Sequence, residues 1–141
     1  MQREIEVKQK LVDATISNHE LTIEGKFRLA ERQLDTMNEI IDQIKSGKVD
    51  KIILEQLCDH ENMHVKHVAA MSMLRMHYKI DLALDALTSV ANSDIPVIGL
   101  VANWQIKSWK ETGSIDSHDK GKKLKKRITI KESLNTNDVL R

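Results

Sequence analysis

Aromatic residues are scarce in this chain, 3% of 141 positions, comprising two tryptophans, one tyrosine and one phenylalanine. A core must therefore come from Leu, Ile, Val, Ala and Met. One cysteine, Cys58, excludes an intramolecular disulfide framework. One proline and five glycines leave few chain breakers, which with the low aromatic content points to helix. No apolar run approaches the ~20 residues that a membrane-spanning helix needs. The N-terminal MQREIEVKQK is charged and has no apolar signal core, so a cytoplasmic protein is expected. Neither a Gly-rich phosphate loop nor a nucleophile elbow occurs.

What is present is a charged, helix-patterned chain. Apolar residues make up 40% and charged residues 30%, enough for one small domain with much surface. The net charge of +1 is unevenly placed. Residues 1–113 carry 14 basic and 17 acidic side chains, net −3, and residues 114–141 carry 8 and 4, net +4. Apolar residues at three- and four-residue steps predict six helices. The first takes Ile5, Val7, Leu11, Val12 and Ile16 and runs towards Gly25. The second, 26–46, takes Phe27, Ala30, Leu34, Met37, Ile41 and Ile44, and Gly47 stops it. The third spans 49–58 and the fourth 63–78, with Asn62 as its N-cap. Val65, Val68, Ala69, Met71, Ser72 and Met76 leave that fourth helix little polar face, so it should lie between neighbours. The fifth is 80–92. The sixth is 96–112, opened by Pro96, closed by Gly113 and holding Val97, Leu100, Val101, Trp104, Ile106 and Trp109.

The segments 49–78 and 80–112 share a layout of short helix, polar turn and more apolar helix. Helical hairpins of ~30–47 residues repeated in this way are the mark of α-solenoids such as HEAT. The expected fold is all-α, a six-helix HEAT-like superhelix of hairpins over 1–113. Residues 114–141 read as a basic tail containing KKLKKR (122–127) and a short alternating piece, 127–131.

His60-Glu61-Asn62-Met63-His64 carries the letters H-E-x-x-H, in which two histidines on one helical face hold zinc and the glutamate activates water. Here the letters overlap a turn. If Asn62 caps the fourth helix, His60 lies outside it, and no third ligand stands in a recognised pattern. A zinc hydrolase is thus only the third reading, and no cofactor or metal is expected. Cys58 reads as a small buried residue, and Trp104 and Trp109, five apart, as packing residues. The basic tail offers phosphate contacts, but the acidic body adds no matching stripe, so nucleic acid is not an expected partner.

Leu57-Cys58-Asp59-His60-Glu61-Asn62 followed by Val65-x-x-Val68-Ala69-Ala70 resembles the HEAT-type hinge. With Ile23-Glu24-Gly25-Lys26, Ala83-Leu84-Asp85-Ala86-Leu87 and the ending Trp109-Lys110-Glu111-Thr112-Gly113, residues 8–113 are similar to a small bacterial family, domain of unknown function two thousand and nineteen. That resemblance implies a helical fold and no catalytic residues. Small domains of this type look like immunity proteins, which bind a cognate toxin domain and block it. The expected partner is a protein, in particular a basic toxin such as a nuclease. Glu55, Asp59, Glu61, Asp81, Asp85 and Asp94, near helix ends and turns, are the candidate contacts. A general adaptor is the alternative.

Overall fold

Helix ends in this chain fall where the backbone changes character. The computed structural model describes residues 2–115. It contains α1 (Gln2–Ile23), α2 (Phe27–Lys45), α3 (Ile52–Leu57), α4 (Met63–Arg75), α5 (Ile80–Ala91) and α6 (Pro96–Thr112). The described residues thus form six helices and no strand, the all-α architecture that the periodicity predicts. The tail expected at 114–141 lies outside the described residues, apart from Ser114 and Ile115.

The fold is organised around α4. This helix packs against α1, α3, α5 and α6, while α2 packs chiefly on α1. Val65 and every residue from Ala69 to Leu74 are buried, so α4 is enclosed on most sides as its uniformly apolar sequence predicts. Ala69, Ala70 and Ser72 are small enough to let neighbouring helices approach closely. Larger side chains fill the space around them: Leu11, Ile44, Ile53, Leu54, Met73, Leu74, Leu87 and Val90 are fully enclosed. Each such side chain contributes ~1.5–3 kcal/mol of burial against conformational entropy.

The sixth helix turns a different face inward from the expected one. Its buried residues are Ile98, Gly99, Ala102, Gln105 and Ser108, with Ile106 and Trp109 half-buried. Val97, Leu100, Val101 and Trp104, expected in the core, are exposed. The reason is close approach to α5. A Cβ built on Gly99 would stand 3.4 Å from the carbonyl oxygen of Ser93 and 3.5 Å from that of Ala91. The face of α6 that carries Gly99 lies against the end of α5, and the larger apolar stripe is left outside. Phe27 and Leu34 on α2, Ile5 on α1 and Ile52 on α3 are also outward, at the margins of their expected stripes.

Gly113 closes α6 in the left-handed conformation (φ 70°), its amide donating to the Trp109 carbonyl at 2.7 Å. The Ser108 and Thr112 hydroxyls donate to the Ser114 carbonyl and hold the reversed chain. This returns Ile115, only 3% exposed, into the core. The packed body therefore runs two residues past the glycine.

Candidate functional site

The α3–α4 turn is built by Asn62. Its backbone is extended (φ −78°, ψ 122°), and its Oδ1 accepts from the amides of His64 (2.9 Å) and Val65 (3.2 Å). That is the N-cap geometry that the sequence predicts. His60 lies in the turn before it, and its Nδ1 accepts from the Asn62 amide at 3.0 Å. The helix begins at Met63, so His60 and His64 do not share a helical face and the H-E-x-x-H letters do not form a zinc pair. Among the described residues, no three His, Cys, Asp or Glu side chains converge to hold a metal ion.

His64 instead stacks on His19 of α1, with ring centroids 3.5 Å apart. His67, one turn along α4, shares a 2.7 Å hydrogen bond with Gln105 Oε1 of α6. Burial holds the His64 pKa below its usual value, and repulsion from His19 and His67 adds to this. Burial also lowers the pKa of His67, against the opposing pull of the Gln105 hydrogen bond. These two histidines tie α4 to its neighbours. Cys58 is buried, its thiol 3.4 Å from the Met73 sulfur. Burial, with Asp59 adding, pushes that thiol up to about 11, so almost no thiolate forms at neutral pH.

The six candidate acids do not form one patch. Glu55 on α3 is half-buried and occupied internally: it accepts from the Tyr78 hydroxyl and pairs with Lys79 Nζ at 2.6 Å. Those hydrogen bonds, Lys79 first, lower its pKa. The clamp steadies the α4–α5 turn, where His77 (φ 52°) and Lys79 (φ 45°) both adopt a left-handed backbone that disfavours side-chain-bearing residues. Asp81, in the first turn of α5, belongs to the same end of the molecule. Asp85 is exposed midway along α5.

Asp59, Glu61 and Asp94 lie at the opposite end. Three side-chain contacts fix the helix directions that put them there. Lys8 Nζ of α1 reaches Gln56 of α3 at 3.0 Å, the His19 ring lies on His64, and Lys66 Nζ of α4 meets Ser89 of α5 at 3.3 Å. The C-terminal end of α1, the first turn of α4 and the last turn of α5 are therefore neighbours. All three hairpin turns, 24–26, 58–62 and 92–95, consequently face the same way. Along this edge, exposed Glu24, Asp59, Glu61 and Asp94 alternate with exposed apolar groups: Ile23 (71%), Phe27 (68%) and Ile95. Lys26, 3.7 Å from Glu24, and exposed Arg28 beside Phe27 contribute positive charge. Sequence reasoning names Asp59, Glu61 and Asp94 because they occupy turns, but not Glu24. It misses Ile23 and Phe27, whose spacing matches a core stripe although they stand past the last turn of packing.

No family model matches the chain, and no curated protein or solved structure matches it either.

Proposed function

We propose that this protein is a helical binding scaffold that docks a protein partner along its hairpin-turn edge, as an immunity protein docks and neutralises a cognate bacterial toxin domain in the cytoplasm. The observation that carries this reading is the mixture on that edge, apolar groups at Ile23, Phe27 and Ile95 set among Glu24, Asp59 and Glu61. Exposed large side chains of this kind supply the desolvated anchors on which protein interfaces depend. The acids around them raise the encounter rate with a basic partner and disfavour acidic ones. A basic nuclease domain has the matching charge. The HEAT-like resemblance of the hinge supports the same reading, because stacked hairpins present successive turns as one extended surface.

The test begins with capture of the tagged full-length protein from its host and identification of what co-purifies. A toxin-like protein recovered in near-equal amount supports the proposal. Calorimetry with that partner should then give a 1:1 complex, weakened about tenfold or more by Phe27→Ala and further by Asp59→Asn with Glu61→Gln. Unchanged affinity in all three variants would remove the edge from the interface. Recovery of housekeeping assemblies would put a general adaptor in place of the immunity protein.

A further inference from the structure

Val97, Leu100, Val101 and Trp104 make an outward apolar stripe on α6, at helical steps of three and four. Val97 is 74% exposed, Leu100 73% and Trp104 49%. The stripe spans about 10 Å of helix axis at ~1.5 Å per residue. Beside it runs a groove of about 430 Å³ lined by Arg75, Leu100, Val101, Trp104, Gln105 and Ile115. Charge brackets the stripe asymmetrically. Asp94 lies before its N-terminal end and Lys107 beyond its C-terminal end, and both are exposed.

We infer that this face binds a second copy of the same chain, α6 against α6, antiparallel about a two-fold axis between Leu100 and Val101. In that register Val97 of each copy meets Trp104 of the other at the mouth of the groove, and Leu100 meets Val101 at the centre. Asp94 of each copy then faces Lys107 of the other, so two opposite-charge pairs close the two ends of the stripe. Arg75 borders the apolar middle on the groove side, and the acidic end and basic end are complementary to a second copy only in the antiparallel sense, as an isologous interface requires. Parallel pairing would set Asp94 against Asp94 and Lys107 against Lys107. Asp94 belongs to both the hairpin-turn edge and the end of this stripe, but Leu100 and Phe27 each belong to one surface, so Leu100→Glu and Phe27→Ala test the two surfaces separately.

The experiment is sedimentation equilibrium on the full chain over a concentration series reaching about 1 mM. A monomer–dimer equilibrium is expected for the wild type. Leu100→Glu should weaken it about tenfold or more while leaving the helical circular dichroism unchanged, because this side chain points outward. Asp94→Lys should weaken it several-fold, and adding Lys107→Asp should restore it to within about twofold of wild type. A wild type that stays monomeric throughout the series overturns the inference, and so does a dimer indifferent to Leu100→Glu. Failure of the double swap to restore association overturns the antiparallel register.

Discussion

Asn62 holds the first turn of α4 with one side-chain oxygen shared between two amides. At the start of α3, Asp50 Oδ1 accepts from the Ile52 amide alone, at 3.0 Å, whereas Asn62 serves two amides, and α4 is the helix on which most others rest. Removing the oxygen leaves those amides to water or to nothing. Asn62→Ala should lower stability by about 1 kcal/mol in urea denaturation, whereas Asn62→Asp should retain most of it. A negligible change for alanine would mean that solvent satisfies the turn as well as the side chain does. Cys58 has the opposite character, chemically silent because it is enclosed. With its thiol near 11, the folded protein should react with a disulfide reagent at pH 8 far more slowly than the protein in denaturant, the rate following unfolding. Fast native-state labelling would show that the α3 end opens often. At this scale the sequence is highly readable: a capping Asn and a Cys ending an apolar run have the same meaning in any helical protein. Glu55 was not readable, because Tyr78 and Lys79, which occupy it, come from a turn 23 and 24 residues away.

Between elements, the seams of α4 with α1 and α6 contain His64 and His67, each with its pKa lowered chiefly by burial. Both pKa values lie below the ordinary 6.5, so the unfolded chain takes up protons first as pH falls. The stability these residues contribute is complete above pH 6.5 and is lost progressively as pH drops from there through their folded values. The urea midpoint should therefore be lower at pH 5.5 than at pH 7.5, and His64→Gln should flatten that dependence. A pH slope identical in the variant would assign the effect to other groups. Helix α4 also predicts its own intolerance of size. Ala69 is fully enclosed, and Ala69→Leu should cost about 1–3 kcal/mol through overpacking, measurable as a drop in urea midpoint. That enclosure was legible, since a helix without a polar face has nowhere exposed to sit. The phase of α6 was not. Its sequence contains two apolar stripes, 97–100–101–104 and 98–102–106–109, and periodicity alone cannot choose between them. The approach of Gly99 to the end of α5 goes with the second, and that is a property of two helices together.

In the whole molecule, packing is unequal. Helices α3 and α5 lie on α4, and α6 lies mainly on α5, while the α1–α2 hairpin joins the rest mainly through one helix, α1. The candidate site inherits this division, since Ile23 and Phe27 sit at the tip of that hairpin and Asp59 and Glu61 at the end of the α4 layer. Sequence pattern names these residues separately. Only the antiparallel course of α1 along α4, fixed by His19 on His64, places them on one edge. Native-state hydrogen exchange should resolve the two parts. Amides in α4 and α5 should exchange only through global unfolding, and those in α2 through a lower-energy opening of the hairpin. Equal opening energies for α2 and α4 would make residues 2–115 a single cooperative unit and remove this hierarchy. If the hierarchy holds, a partner bound at Phe27 and Glu61 together must clamp the hairpin to the α4 layer. Protection should then rise in α2 by more than in α5, because binding energy shared across the seam counts against its opening. A partner that raised protection in both helices alike would be binding elsewhere on the molecule.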